Sequence, residues 1–326
     1  MICVSRVSGK IQWSKTVLRA PLERKHRLNS YASATPATDG KHVWVAFMEY
    51  PTVVVVCYDM NGKEVWRKQP GKLLSKHGFC SSPILYKNLV ILNCDQDAQG
   101  YLVAYDKTSG KEEWRTLRPN KTRSYCTPII VKAAGKDQLV FSGSRCVASY
   151  DPATGERHWI IDGPTEQYVA SLVYTQDLLF LTAGFPTYHL MGIRPDGKGN
   201  VTKSHVAWHH SKLPAKEASY VPSPIGHGNY FYVVSDRGYA SCFDAKSGER
   251  KWIQKLGRRH SASPVLVEGN LYFPSDEGIV YVVKAGPKFE LIAKNKMGNT
   301  CYASPAVSQG EMFIRTLDKL YCVSRK

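Results

Sequence analysis

The sequence predicts an all-β fold built from a repeated four-stranded module, and two recurring anchors support this prediction. Six of the seven tryptophans close copies of one phrase, such as residues 109–114 (Ser-Gly-Lys-Glu-Glu-Trp), at steps of 53, 48, 45, 49 and 44 residues. A second anchor, Ser/Thr-Pro, recurs upstream of each phrase, for example at residues 82–83. A period of about 45 residues that holds several short strands is typical of the blade of a β-propeller.

Each blade is predicted to start at the Ser/Thr-Pro anchor with its innermost strand. One of the seven copies, residues 170–172 (Ala-Ser-Leu), has lost the proline. Seven anchors predict seven inner strands, and therefore seven blades of four antiparallel strands. The residues in the proline position are Pro36, Pro83, Pro128, Leu172, Pro224, Pro264 and Pro305.

The other strands of a blade follow in a fixed order. In the second copy, residues 89–92 form the second strand and the third strand ends at residues 104–106 (Ala-Tyr-Asp). A Ser/Thr/Asn-Gly turn, which supplies the positive φ that a tight turn needs, then leads into the fourth strand with its tryptophan. The indole is expected to pack between blades and to donate its N–H to a backbone acceptor. No segment keeps a 3.6-residue period, so almost no helix is expected.

The two termini are expected to close the fold. Residues 304–323 supply three strands of the last blade, and residues 10–15 are predicted to add its fourth, so that N- and C-terminal strands share one blade and no edge stays exposed. Residues 1–6 nearly copy residues 320–325, however, and both compete for one third-strand position. The alternative is an eight-bladed propeller truncated at its N-terminus. In either case we expect a single domain over residues 1–326.

The bulk composition limits the classes of partner. The net charge of +17, from 44 Lys+Arg against 27 Asp+Glu, favours an anionic partner, although the basic residues are spread along the chain. Residues 24–27 are the densest basic stretch, and no nucleic-acid-binding motif accompanies them, so no nucleic-acid partner is expected. The longest apolar stretch, residues 43–58, contains Glu49 and Pro51 and predicts no transmembrane helix. The N-terminus has no apolar core of a signal peptide.

The nine cysteines leave at least one thiol without a partner in the chain. Four of them share one repeat position, where another copy has Ala104, and are therefore expected to be small core residues: Cys3, Cys57, Cys242 and Cys322. A disulfide between Cys80 and Cys94 stays open, and the state of Cys126, Cys146 and Cys301 is undetermined. No cysteine or histidine has the spacing of metal ligands, and no metal site is predicted.

The Ser-Pro start, the Tyr-Asp-x-x-Ser/Thr-Gly-Lys/Glu turn and the closing tryptophan resemble the pyrroloquinoline-quinone-like (PQQ-like) propeller repeat. The match extends over nearly the whole chain. The pattern is similar to that of exported PQQ-like propellers of planctomycete-type bacteria and of the propeller lipoprotein of outer-membrane assembly, a non-enzymatic scaffold. This resemblance implies a periplasmic or other extracytoplasmic location and, in full-length relatives, eight blades behind a signal peptide.

The same resemblance raises the question of a quinone cofactor. Quinoprotein alcohol dehydrogenases stack the quinone between a tryptophan and a disulfide of adjacent cysteines, above a calcium ion. This sequence has no Cys-Cys pair, and the one tryptophan outside the repeat position, Trp44, falls in a second strand. Residues 95–100 lack the length and the terminal glutamate of an EF-hand loop. We therefore expect neither PQQ nor calcium.

In a propeller, the residues just before each inner strand surround the mouth of the central channel. These ligand-binding candidates are Asn29, Tyr31, His77, Arg123, Tyr125, Glu166, Tyr168, Tyr220, Arg259, His260 and Tyr302. Loops between second and third strands return to the same face and add Asp95, Asp97, Tyr188, His189, Asp236, Arg237, Asp276, Glu277, Arg315 and Asp318. Such convergent polar groups suit a ligand. A purely structural explanation stays open, because crowded strand ends must be hydrated in any propeller.

Three functions remain in order of preference. The first is a monomeric, non-catalytic scaffold of the bacterial cell envelope that engages a protein or an anionic polysaccharide at the channel mouth. The second is a carbohydrate-active lyase or hydrolase, for which His77, His260, Tyr125 and Tyr168 are the candidate catalytic residues. A quinone-dependent dehydrogenase is a distant third. The pair His209-His210 is expected at the surface, without a role.

Overall fold

The computed structural model describes residues 1–22, 24–26 and 29–324 of the chain. Two compact units make it up, one of residues 1–130 with 137–158, and one of residues 131–136 with 159–326. Within the described ranges every regular element is a β-strand and no helix occurs, which confirms the all-β prediction. The prediction of a single domain stays a prediction.

The first unit consists of antiparallel sheets whose strands follow in chain order. A two-stranded sheet contains β1 (Ile2–Val4) and β2 (Ile11–Ser14). A four-stranded sheet contains β3 (Ala37–Thr38), β4 (His42–Glu49), β5 (Thr52–Asp59) and β6 (Glu64–Lys72). The next contains β7 (Ile84–Tyr86), β8 (Leu89–Cys94), β9 (Tyr101–Asp106) and β10 (Glu112–Leu117). The next sheet contains β11 (Ile129–Ala133), β12 (Lys136–Gly143), β13 (Cys146–Tyr150) and β14 (Arg157–Asp162). The boundaries between the two units fall within β11, near the start of β12 and within β14.

The second unit repeats the same plan. Its first four-stranded sheet contains β15 (Val173–Thr175), β16 (Leu178–Ala183), β17 (Tyr188–Ile193) and β19 (Val206–Leu213). The next contains β20 (Ile225–His227), β21 (Tyr230–Val234), β22 (Tyr239–Asp244) and β23 (Arg250–Lys255). A third contains β24 (Val265–Val267), β25 (Asn270–Pro274), β26 (Ile279–Lys284) and β27 (Leu291–Lys296). The last sheet has β28 (Ala306–Ser308), β29 (Glu311–Arg315) and β30 (Leu320–Ser324), and the short β18 (Gly199–Asn200) runs parallel to Trp159 and Ile160.

Seven short strands directly follow the seven anchors, so the predicted inner strands are confirmed. They are β3, β7, β11, β15, β20, β24 and β28. In the sheets of four or more strands the second and third strands carry the core: β8 is buried throughout, whereas the outer strand β10 alternates between exposed and half-buried residues. This gradient reflects the position of each strand, because the middle strands are covered on both faces. The number of blades itself stays a prediction.

The expectation for the terminal strands differs from the structure. Residues 10–15 were predicted to complete the last blade, but Ile11–Ser14 pairs with Ile2–Val4, with Cys3 opposite Trp13. The last sheet has three strands and ends at Leu320–Ser324. The local pairing is favoured because residues 1–6 offer nearly the same edge as residues 320–325 and lie only a short turn away, so less loop entropy is lost.

The packing of a repeat tryptophan against the turn of the next copy explains why that turn position is glycine. The Trp66 indole donates to the carbonyl oxygen of Lys107 at 3.0 Å and lies against Gly110, the turn glycine of the following copy. The same N–H-to-backbone bond, predicted from the sequence, is present for Trp13, Trp159, Trp208 and Trp252. Trp114 is the exception within the described residues, since its Nε1 has no acceptor. Trp44 is fully buried and also donates to Lys107, at 3.2 Å.

All nine cysteines are free thiols, so the open hypothesis of a Cys80–Cys94 disulfide is not realised. Cys57 and Cys242 are buried in the repeat position as predicted, and burial raises the pKa of each thiol to about 12. Cys3 is half-buried and Cys322 is exposed, contrary to the prediction of a core position. The reason is that their strands lie in the two incomplete sheets, where fewer neighbours cover them.

Candidate functional site

Three of the sequence-predicted residues, Asn29, His77 and Tyr125, meet in the first unit. The Asn29 side-chain amide donates to the carbonyl oxygen of His77 at 2.9 Å. The His77 ring lies 6.2 Å from the Tyr125 ring and 5.1 Å from the His26 ring, between centroids. Tyr125 is buried, and its hydroxyl lies 3.4 Å from the Ser75 hydroxyl. Burial lowers the pKa of His77, and the positive charge of Arg123 acts in the same direction, so the imidazole is neutral at pH 7.

Arg123 and Tyr31 have partners of their own. The Arg123 guanidinium forms an ion pair with Asp97 at 2.8 Å, and its backbone N–H donates to the same carboxylate oxygen at 3.3 Å. Tyr31 is exposed, and the Lys25 ammonium lies 5.1 Å above its ring. An anionic ligand at Arg123, one of the ligand-binding candidates, would therefore have to compete with Asp97.

A fully buried ion pair lies beneath the segment that contains Tyr125. No sequence pattern indicated that its two residues would meet. Arg118 Nε donates to Asp95 Oδ1 at 2.8 Å, and neither side chain reaches solvent. Ser124, the neighbour of Tyr125, donates to the other carboxylate oxygen at 2.8 Å. The guanidinium also lies 4.1 Å from the centre of the Phe141 ring. Burial alone would lower the pKa of Arg118, but the charge of Asp95, the neighbouring Cys146 and Tyr150 and the hydrogen bond to Asp95 together outweigh this effect and hold the pKa well above its usual value.

Loop carboxylates fix the backbone before the inner strands in the second unit as well. Asp236 accepts the backbone N–H groups of Tyr220 at 2.7 Å and Val221 at 3.1 Å. Asp276 accepts the backbone N–H of Ser261 at 2.8 Å. Asp97 plays the same part for Arg123. The carboxylates that the sequence placed on the candidate face thus hold the neighbouring loop in position, which is a structural use of their charge.

The His260 side chain, expected at the channel mouth, is turned inward and buried. Only 1% of the residue is exposed, with Nδ1 2.7 Å from the Pro274 carbonyl oxygen and Nε2 2.5 Å from that of Leu256. Burial lowers its pKa, and the two carbonyl groups oppose this effect. Arg259, next to it, is exposed, and its Nε is 4.0 Å from Asp276. The arginine is presented to solvent, and the imidazole is not.

Tyr168 is also held by the backbone. It is fully buried, and its hydroxyl donates to the carbonyl oxygen of Gly163 at 2.7 Å. Glu166 donates its backbone N–H to Phe185 at 3.2 Å, and the exposed Phe185 ring lies 6.3 Å from the Tyr220 ring. Tyr302, more than half exposed, completes the candidates of this unit. The phenylalanine was not selected from the sequence, because a single Phe in a loop carries no pattern.

The described residues contain neither a metal-binding cluster nor a membrane-spanning helix. Outside the five undescribed positions, no cluster brings together three or more His, Cys, Asp or Glu side chains that could hold a metal ion. Nor does any helix in the described ranges have the length and apolar character needed to cross a membrane.

The family model described as outer membrane protein assembly factor BamB matches residues 2–184, 199–286 and 236–324. The chain belongs to this family. The matched ranges contain the tryptophan phrases and the seven anchors, so the repeat that was recognised in the sequence is the BamB-type repeat.

Individual relatives agree with this assignment. The BamB protein of Burkholderia pseudomallei (strain K96243) is 32% identical over 104 residues, which is 32% of this chain and 26% of that protein. The match thus spans about a quarter of the length of this relative. The crystal structure of BamB from Moraxella catarrhalis superposes with a TM-score of 0.68 at 13% identity, over 99% of this chain and 92% of the other. The β-propeller fold class is thereby confirmed.

A europium-containing methanol dehydrogenase has the same fold, with a TM-score of 0.64 at 13% identity over 98% of this chain and 78% of the other. Trp44 is buried with its N–H bonded to Lys107, and the other tryptophans belong to the outer-strand phrase or its degenerate copy. Every cysteine is a free thiol. These side chains do not fit the stacking site of a quinoprotein.

Proposed function

We propose that this BamB-family chain is a non-catalytic binding scaffold of the bacterial cell envelope, located outside the cytoplasm, which engages a protein through the loops before its inner strands. One observation carries the proposal: two of the four candidate catalytic side chains, those of His260 and Tyr168, are bonded to backbone carbonyl oxygens, while the exposed arginine and aromatic side chains are suited to contact with a partner. His260 and Tyr168 are buried against carbonyl oxygens, as described above. The names of the matched relatives, outer membrane assembly factors, support the same role for this chain.

The loops of the second unit favour an acidic partner. Arg237, Arg258 and Arg259 are exposed. The nearby carboxylates of Asp236 and Asp276 accept backbone N–H groups, and Arg259 Nε lies 4.0 Å from Asp276, so these carboxylates leave the guanidinium groups accessible to a partner. Exposed Arg together with exposed aromatic rings, such as Phe185 and Tyr302, is the composition enriched at protein interfaces.

The test is a comparison of three proteins in cross-linking to envelope extract of the native bacterium, with identification of the captured partner by mass spectrometry and measurement of its affinity in purified form. We expect wild type to bind and the triple variant Arg237→Ser, Arg258→Ser, Arg259→Ser to lose at least tenfold in affinity. Arg250→Ser is the matched control, because Arg250 lies on the outer strand β23 in an ion pair with Glu217. Equal binding by all three proteins would contradict the proposed surface.

A carbohydrate-active enzyme is the second candidate, and the cluster around His77 favours it. A neutral, half-buried imidazole beside Tyr125, Ser75 and Arg123 has the groups that abstraction of a proton from a uronic acid would use. A screen of anionic polysaccharides for unsaturated uronate products decides between the two functions. Product that forms with wild type and disappears in His77→Ala would replace the scaffold by the enzyme.

We also infer that the chain functions without PQQ and calcium. The free cysteines and the positions of the tryptophans support this inference. When the protein is titrated with PQQ and calcium, the absorbance spectrum of the mixture is expected to equal the sum of the spectra of the protein and of free PQQ. A stoichiometric bound-quinone spectrum would refute it.

A further inference from the structure

Two imidazole rings face each other on neighbouring strands of the second unit. His189 Nδ1, on β17, lies 3.0 Å from His209 Nε2, on β19. His189 is 5% exposed, whereas His209 is exposed to solvent. A site formed by these two nitrogens would be anchored on its inner side and open to solvent on its outer side.

The hydroxyl of Thr187 can accept the proton of one His189 ring nitrogen, which leaves the lone pair on the other nitrogen. Thr187 Oγ1 lies 2.6 Å from His189 Nε2. Thr165, the nearest other hydroxyl, donates its proton to the Phe185 carbonyl oxygen at 2.6 Å and lies 3.5 Å from Thr187 Oγ1, so Thr187 can direct its own proton there and accept from His189. The lone pair of His189 is then on Nδ1 and points at His209. Ligating histidines typically have their second nitrogen oriented by such a hydrogen bond.

The pairing of β17 with β19 brings the two histidines onto one face of the sheet. His209 pairs with Met191, and His189, two residues before Met191, is therefore the diagonal neighbour of His209. Next to this pair the register shifts between Tyr188 and Leu190, and Lys212 adopts a left-handed φ of 52° in the opposite strand. Such bulges are frequent next to functional sites.

The separation of the two nitrogens is compatible with ligation of one metal ion by both rings. With metal–nitrogen distances of about 2.0–2.1 Å, a tetrahedral angle requires nitrogens about 3.4 Å apart, and a right angle requires about 2.9 Å. The observed 3.0 Å is close to the right angle. Cis ligands at right angles belong to the tetragonal geometries of Ni²⁺ and Cu²⁺, which also bind imidazole more tightly than the earlier divalent metals.

We propose that His189 and His209 form a bidentate site for a divalent ion of the Ni²⁺–Cu²⁺ type, with Thr187 orienting the inner ligand and water filling the remaining positions. The proposal is independent of the scaffold function.

The test is calorimetric titration of the full chain with NiCl₂, which avoids the oxidation of the exposed Cys322 by copper. We expect one ion per chain, and a loss of at least tenfold in affinity in His209→Ala, a change that the exposed position should tolerate. Thr187→Val is expected to weaken binding by about 10–100-fold, the range for lost orientation of a ligating imidazole. The matched control is His227→Ala, an exposed histidine on β20, which should bind like wild type.

Two results would overturn the proposal. Nickel binding that His209→Ala leaves unchanged would place the ion elsewhere. No detectable binding by wild type would mean that the two rings share only a proton, in an N–H···N hydrogen bond. Ligand-field absorbance of the nickel complex distinguishes coordination by imidazole from coordination by thiolate and gives a readout that needs no activity.

Discussion

The Trp66 indole lies so close to Gly110 that a Cβ atom on this glycine would be 2.7 Å from ring atom Cδ2. Gly110 also has a φ of +68°, so two independent requirements exclude a side chain. The same contact recurs between Trp13 and Gly62, Trp114 and Gly155, and Trp208 and Gly248. In these four copies the repeat couples the outer-strand tryptophan to the turn of the following copy.

The first prediction isolates this contact. Gly110→Ala should destabilise the chain by the strain of a left-handed alanine, about 1–2 kcal/mol, plus about 1–3 kcal/mol for overpacking against the indole. Gly135→Ala is the control, because Gly135 has a φ of +76° with no atom within 4 Å of the added Cβ. Chemical denaturation of both variants measures the difference. Equal free energies of unfolding would mean that the indole moves aside freely.

The second prediction concerns the indole N–H. Trp252 donates to the Gly286 carbonyl oxygen at 3.0 Å, whereas Trp114 has no acceptor among the described residues. Replacement by Phe removes the indole N–H at either position, but only Trp252→Phe deprives a carbonyl oxygen, that of Gly286, of its hydrogen-bond donor. We expect Trp252→Phe to lower the free energy of unfolding by about 1–3 kcal/mol more than Trp114→Phe. Urea denaturation of the two variants is the measurement, and a larger loss for Trp114→Phe would contradict the assigned roles.

The third prediction concerns the buried pair of Asp95 and Arg118. Asp95→Ala leaves a buried guanidinium without its carboxylate and should cost about 3–5 kcal/mol of stability. The exposed pair of Glu112 and Arg115, 2.6 Å apart, provides the control, and Glu112→Ala should cost less than about 1 kcal/mol. In addition, Asp95→Ala should alter the fluorescence of Tyr125, since Ser124 loses its acceptor. Similar losses for both variants would mean that water reaches Arg118.

The fourth prediction is a loss of stability in mild acid. Burial lowers the pKa values of His189, His209 and His260 in the folded chain. Since the unfolded chain keeps an ordinary pKa of about 6.5, it binds protons first as the pH falls. The stabilisation is complete above that pH and is lost progressively below it. Urea denaturation at pH 8 and pH 5.5 measures the loss, which should shrink in His189→Gln and stay unchanged in His227→Gln.

The candidate site could be predicted only in part. Asn29, His77 and Tyr125 meet as expected, because all three belong to segments that precede inner strands or follow an outer one. The accessibility of His260 could not be predicted, since the same pattern that places it before an anchor also allows the ring to turn inward onto two carbonyl groups. The outcome depends on one side-chain rotamer, which a repeat pattern does not specify.

By itself, the amino-acid sequence determined the four-stranded module, its glycine turns and the structural use of its tryptophans. These features depend on contacts within one repeat or between consecutive repeats, and six copies display the same local chemistry. Only the tertiary structure decided that Arg118 meets Asp95, that His209 meets His189 and that Ile11–Ser14 pairs with Ile2–Val4. The physical reason is strand register: one bulge or one alternative partner strand changes which side chains touch, while the pattern of apolar residues stays the same.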